Sequence, residues 1–153
     1  MLVWRICKHQ HVDDAFSGIG AEKYGGRWNH KGERMVYSST SLSLATLELF
    51  VHLEPDCLPD DLHSVEARFP DQVSAEEFAV AQLPKNWRDF PAPAILQDLG
   101  TKWLRERRSL LLIVPSALNP DEKNVLINPL HPEIATMSDV TSKPFYFDPQ
   151  MWK

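Results

Sequence analysis

The sequence predicts an α+β fold, and three observations carry the prediction. Strand-like segments recur along the chain, at Leu2–Cys7, Arg34–Ser38, Leu62–Phe69, Ser109–Val114 and Asn124–Asn128. Only two stretches, about Leu42–Leu53 and Ala94–Arg107, have helical spacing, so there is no regular strand–helix–strand cycle to build a doubly wound parallel sheet. Finally, 153 residues with 43% apolar and 24% charged content suit a single domain, residues 1–153, with its own hydrophobic core.

Each element has a local reason. Leu2–Cys7 is apolar but broken by Arg5 and followed by Lys8, which makes it a first strand and not a signal peptide. Val12–Gly18 reads as a short helix or turn. Arg34–Ser38 leads directly into the helix Leu42–Leu53, with Thr40 or Ser41 as its N-cap. Leu62–Phe69 alternates as a half-buried strand does. Prolines and acids dominate Pro70–Pro93, which reads as loop with a short strand near Val80. Ala94–Arg107 lines up Ile95, Leu99, Trp103 and Leu104 at helical spacing. Ser109–Val114 is a continuous apolar run of the kind a central strand covered on both faces requires. Asn124–Asn128 is a shorter strand, and Phe145–Trp152 a C-terminal strand or turn.

The formal charge of −5 argues against broad phosphate-backbone binding, so no direct contact with nucleic acid is expected. Cys7 and Cys57 form neither a metal-type pair nor a disulfide framework. His9 and His11 lie two apart, but no further Cys or His completes a metal site. No apolar stretch is long enough to cross a bilayer, and a cytoplasmic protein is expected.

Chemistry concentrates at five positions. Gly25-Gly26 allows a sharp turn or a close approach and delivers Arg27, whose rigid fork matches phosphate or carboxylate oxygens. Arg5 on the first strand is a second cation. Tyr37 precedes the helix that carries Glu48, so the two can line one cleft. Glu48 has Leu44, Ala45, Val51 and His52 as its helical neighbours, none of them Lys or Arg, so no ordinary surface ion pair explains it. Its partner is either Arg27 or a ligand hydroxyl. Ser116 follows Pro115 at the end of the apolar strand, and without a Gly-x-Ser-x-Gly elbow it has a binding role, not a nucleophilic one. The residues alone leave a blander reading open, in which Glu48 and Arg27 are a structural pair and Tyr37 a core tyrosine. The rigid turn Asn128-Pro129-Leu130-His131-Pro132 is a candidate border of the cleft.

Taken in order, Arg5 in Val-Trp-Arg-Ile, Gly25-Gly26-Arg27-Trp28-Asn29, Met35-Val36-Tyr37-Ser38, Leu44-Ala45-Thr46-Leu47-Glu48 with His52, and Val114-Pro115-Ser116 closely resemble the blocks of the RES family. Val125-Leu126-Ile127-Asn128-Pro129 with His131-Pro132 resembles its closing block. RES proteins are bacterial NAD-degrading toxins paired with a helix-turn-helix antitoxin. The resemblance implies a split, bent mixed sheet similar to the ADP-ribosyltransferase fold around an NAD cleft. It implies cleavage of the nicotinamide–ribose bond of NAD⁺, as phosphorylase or glycohydrolase, with inorganic phosphate or water as acceptor. NAD⁺ is then a substrate, and no cofactor or metal is required. Glu48 would stabilise the oxocarbenium-like transition state, Arg27 and Arg5 would hold phosphate groups, Tyr37 would orient nicotinamide, and Ser116 would bind ligand. The implied partner is an Xre-type antitoxin that supplies the DNA contact, in a complex that allows a toxin homodimer. Two alternatives share these residues: a protein-modifying mono-ADP-ribosyltransferase, and a non-catalytic binding module.

Overall fold

Seven strands run along the chain: β1 (Leu2–Lys8), β2 (Val36–Ser39), β3 (Leu62–Arg68), β4 (Ala75–Glu77), β5 (Leu111–Pro115), β6 (Lys123–Ile127) and β7 (Ser138–Pro144). Three α-helices accompany them: α1 (Ile19–Tyr24), α2 (Leu42–Phe50) and α3 (Ala94–Glu106). This is a computed structural model, and it describes residues 1–152. The strands form one sheet in the order β4-β5-β6-β2-β1-β3-β7. Only β4 and β5 pair in parallel, so the sheet is mixed and the α+β class holds.

The middle of the sheet is where strand pairing is thinnest. β1 pairs with β3 from Leu2↔Arg68 to Lys8↔Leu62, yet meets β2 at the single pair Trp4↔Ser39. Two blocks, β4-β5-β6-β2 and β1-β3-β7, are therefore joined by one residue pair.

Alternation along the strands builds a core on each face. Leu112, Val114 and Leu126 pack on one face against Leu96, Trp103 and Leu104 of α3, with Trp28 and Trp87 closing that cluster. Leu111, Val125, Ile127, Val36 and Val3 face the other way and meet Phe69 and Leu110. β5 is covered on both faces, as its unbroken apolar run demands, but it lies next to the β4 edge, and β2 occupies the middle. Ser41, not Thr40, caps α2: its hydroxyl accepts the Leu44 N–H at 3.1 Å, while the Thr40 hydroxyl donates to the Lys123 carbonyl.

Val12–Gly18 forms turns, one of the two forms expected of it. Several expectations are corrected. A helix follows at Ile19–Tyr24, too short for a periodic pattern to reveal it. The short strand expected near Val80 lies at Ala75–Glu77, and Val80–Gln82 is a 3-10 turn. Backbone pairing to β5 and the Arg108–Glu76 ion pair at 3.0 Å hold Ala-Glu-Glu extended, which its side chains do not favour. α2 ends at Phe50, short of Leu53. In the first turn of α3 it is Leu96 that enters the core, with Ile95 left 49% exposed. β7 was not foreseen, because an edge strand exposed at every position carries no alternation to read. Of the two forms expected of Phe145–Trp152, strand or turn, the chain takes the second, with residues 145–148 irregular and Pro149–Trp152 a 3-10 turn; Phe147 packs edge-on against Phe50 at 5.7 Å.

One carboxylate, Glu133, is expected to contribute to the response of the fold to acid. Glu133 accepts from the Ser74 amide and hydroxyl, and the Ser74 hydroxyl accepts the Leu110 N–H at 2.9 Å, so one clasp ties the turn after β6 to the starts of β4 and β5. The Ser74 hydroxyl holds the Glu133 carboxyl below its ordinary value, with His131 adding to the effect. A folded-state value below the unfolded one contributes stability above the ordinary carboxylate range, lost as pH falls through the folded value. Thermal unfolding followed from about pH 6 to about pH 3 should therefore show a shallower acid limb for Glu133→Gln than for the parent. Identical slopes would remove Glu133 from the acid response.

Candidate active site

The Gly25-Gly26 pair does two different jobs. Gly25 ends α1 at φ +71, where its N–H caps the Ala21 carbonyl. Gly26 opens a tight turn closed by its N–H donating to the Asn29 carbonyl at 3.1 Å. A Cβ on Gly26 would sit 2.5 Å from the Tyr37 hydroxyl and 3.0 Å from Asn29 Oδ1. The close approach that the glycine permits is thus to Tyr37 of the same chain. Within the turn Trp28 enters the core at 3% exposure, and Arg27 remains half-buried on the other side.

α3 holds this turn from behind. Gln97 Nε2 donates to the Gly26 carbonyl at 3.0 Å and the Asn29 carbonyl at 3.3 Å, and Thr101 Oγ1 accepts the His30 N–H at 3.0 Å. These residues lie four apart on one helix face, with Gly100 between them making room for the Trp28 carbonyl.

Arg27 Nη1 donates to the carbonyls of Trp87 and Asp89 at 2.8 and 3.1 Å. Both protons on that nitrogen are taken, which leaves Nε and Nη2 as the outward fork. Burial pulls the guanidinium below its ordinary value, while Glu48, then Tyr37 and Asp89, push it back up. Glu48 therefore shares its surroundings, but no ion pair joins the two among the described residues. The direct Glu48–Arg27 pairing left open by the sequence is not made.

The Tyr37 hydroxyl is spent within the turn, and its ring packs against the core cluster of Trp28, Met35 and Leu126. The hydroxyl donates to Asn29 Oδ1 at 2.6 Å and accepts the Trp28 N–H at 3.0 Å. Burial pushes the phenol well above its ordinary value. Tyr37→Phe would strand both loop partners, at a cost of about 1–3 kcal/mol. Urea unfolding should show this loss; an unchanged midpoint would mean that the hydroxyl does not hold the Arg27 turn.

Glu48, half-buried on α2, accepts from the Ser116 hydroxyl at 2.6 Å and from Asn124 Nδ2 at 2.7 Å. Both donors use the same oxygen, Oε1. Ser116 is fully buried, and its oxygen also accepts the N–H groups of Leu118 and Asn119 at 3.1 and 3.3 Å. Its hydroxyl is thus occupied in holding Glu48 and a turn.

Arg5 stands apart from the other four. Strand alternation places it on the Val3 face of β1, opposite the face shared by Trp4, Ser39 and the Tyr37 ring. It reaches the site where β1 and β2 have parted, Nη1 donating to the Tyr37 carbonyl at 3.2 Å. Its Nε is buried without a partner. Burial lowers this guanidinium, with Cys7 and Asp14 acting in the opposite sense.

Sequence reasoning missed Asn124, the carbonyls of Trp87 and Asp89, and the central place of Asn29, which is fully buried and donates to the carbonyls of Ala21, His30 and Glu33. Asn29 had a signal in its motif; backbone carbonyls have none. The turn Asn128–Pro132 serves α3: Asn128 Nδ2 donates to the Leu104 carbonyl at 3.2 Å. A recess of about 440 Å³ lies beside His30, Asp98 and Arg105, yet its charges are paired, His30 with Asp98 at 2.6 Å and Arg105 with Glu33 at 2.6 Å. Unspent donors and acceptors lie instead at Arg27 and Glu48.

This geometry has relatives. A protein called Toxin Res from Yersinia enterocolitica is 40% identical over 99% of both chains. Prs ADP-ribosylating toxin from a Sphingobium species is 39% identical over 97% of this chain and 94% of its own. In three dimensions the chain is similar to the solved M. tuberculosis MbcT–MbcA toxin–antitoxin complex, with a TM-score of 0.77 over 94% of this chain and 83% of that one at 15% identity, a likeness of fold. The profile of the family described as RES domain matches residues 2–148, and the chain belongs to the RES domain family.

Proposed function

We propose that this chain is the toxin of a type II toxin–antitoxin system and destroys cytoplasmic NAD⁺ by cleaving its nicotinamide–ribose bond. The observation that carries the reading is the pairing of a carboxylate, Glu48, held by one oxygen only, with a neighbouring arginine fork whose outer donors are unspent. When the C1″–N bond breaks, its electron pair leaves with neutral nicotinamide and the ribose gains positive, oxocarbenium-like character. A fixed anion beside that carbon stabilises the transition state more than the ground state. Arg27 presents Nε and Nη2 to the pyrophosphate or to inorganic phosphate, and Arg5, bound to the Tyr37 carbonyl, adds a second positive charge from within the fold. Attack by a phosphate oxygen on C1″ yields ADP-ribose-1″-phosphate; attack by water yields ADP-ribose and a proton. Tyr37 contributes a ring face for nicotinamide.

A relative 39% identical is called an ADP-ribosylating toxin, which favours transfer to a macromolecule as the second reading. The toxin reading brings a partner, a helix-turn-helix antitoxin that covers the site and supplies DNA contact for an acidic chain, with room for a toxin dimer in the complex.

The deciding experiment incubates antitoxin-free protein with NAD⁺, with and without inorganic phosphate, and follows products by phosphorus NMR and chromatography. Phosphate-dependent ADP-ribose-1″-phosphate supports phosphorolysis, and free ADP-ribose in both samples supports hydrolysis. Label from NAD⁺ appearing on protein would shift the reading to a transferase. Folded protein that leaves NAD⁺ intact with every acceptor would leave only a binding module.

A further inference from the structure

We infer that Asn124 is the positioning residue for Glu48: its side-chain amide, oriented by Ser39, shares Oε1 with Ser116 and so presents Oε2 to the site. The inference rests on the reading that Glu48 acts on a ligand, but its geometry stands independently.

A carboxylate oxygen can only accept, so the Asn124 atom 2.7 Å from Glu48 Oε1 is the NH₂ group. That places Oδ1 toward Ser39, whose hydroxyl must then donate, at 2.7 Å. Ser39 is 3% exposed, and the sheet sets Ser39 directly opposite Asn124 in the β2–β6 pairing. The amide therefore has one satisfied orientation, and β5 backs it through the pair Val114↔Asn124. Ser116 holds the same oxygen at 2.6 Å and spends its remaining acceptor capacity on two backbone N–H groups.

Glu48 Oε2 has no partner among the described residues and is not among the sealed, unsatisfied polar atoms. Two charge-assisted hydrogen bonds on one oxygen fix the plane of the carboxylate and direct the other oxygen outward. The relay Ser39–Asn124–Glu48 runs from the middle strand of the sheet to the helix that packs on it. Backbone pairing already holds Asn124 in β6, so its amide is not needed to keep the strand in place.

Asn124→Ala removes the donor without placing a second carboxylate against Glu48 Oε1. It should lower kcat for NAD⁺ consumption about 10- to 100-fold, the effect of losing a hydrogen bond to a charged group, while KM changes less than about threefold and the protein remains folded. Ser39→Ala should reproduce a smaller kcat loss by freeing the amide to rotate. Unchanged kcat in Asn124→Ala, or a loss confined to KM or to folded fraction, would overturn the assignment.

A substrate-free readout separates this inference from the proposed function. In ¹⁵N-labelled protein the Asn124 side-chain amide resonances should shift on Glu48→Ala and on Ser39→Ala, and stay in place on His52→Ala. Resonances indifferent to Glu48 would end the inference even if NAD⁺ is consumed. A shifted amide in a protein that spares NAD⁺ would keep the positioning role and discard the reaction.

Discussion

Glu48→Gln is expected to reduce NAD⁺ consumption about 10³-fold while leaving thermal unfolding close to that of the parent. The substitution is unusually clean at this site. Glutamine keeps a carbonyl oxygen, and that oxygen can accept from Ser116 and Asn124 as Oε1 does. Since no ion pair to Glu48 exists among the described residues, no buried cation is orphaned by the change. What disappears is the negative charge beside the developing cation, together with an acceptor at the unengaged position. Parallel measurement of NAD⁺ turnover and melting temperature decides the matter. Full turnover would remove Glu48 from the chemistry, and a large drop in melting temperature would make it a structural residue after all.

Gly100→Ala should have the largest effect on stability, on the order of 3 kcal/mol. In an exposed helix this substitution would help, since alanine favours helix by about 1 kcal/mol over glycine. Here the new methyl would fall on the Trp28 carbonyl, which is backbone and cannot swing aside as a flexible side chain does. Either α3 moves off the sheet or the Gly26–Asn29 turn shifts, and Arg27 sits in that turn. Loss of stability measured by urea unfolding should therefore be accompanied by weaker NAD⁺ turnover in the fraction that remains folded. A stable Gly100→Ala protein with full turnover would show that the contact between α3 and the turn is loose.

Much of this was legible before any coordinates. The helix carrying Glu48 was readable with its cap narrowed to Thr40 or Ser41, because capping and apolar spacing are local properties. The double coverage of β5 was readable because a strand buried on both faces needs an unbroken apolar run. Elements without a core face were not readable. β4 is three residues held by pairing, and β7 is exposed throughout, so neither leaves a pattern. At the candidate site, ordered motifs pointed to Arg27, Tyr37, Glu48 and Ser116. Their partners were hidden, since Asn124 lies 76 residues from Glu48, and the acceptors for Arg27 are carbonyls, which every residue possesses.

By itself the sequence determined the α+β class, the family, and which side chains bear charge near a candidate cleft. Residue type, spacing and motif order are enough for those. Only the tertiary structure decided how those side chains spend their hydrogen bonds. It assigned the Tyr37 hydroxyl to the Arg27 turn, Ser116 and Asn124 to one oxygen of Glu48, and Arg5 to the opening between β1 and β2. The physical reason is that a donor's partner is set by strand order and register across long separations, and local sequence carries no record of either.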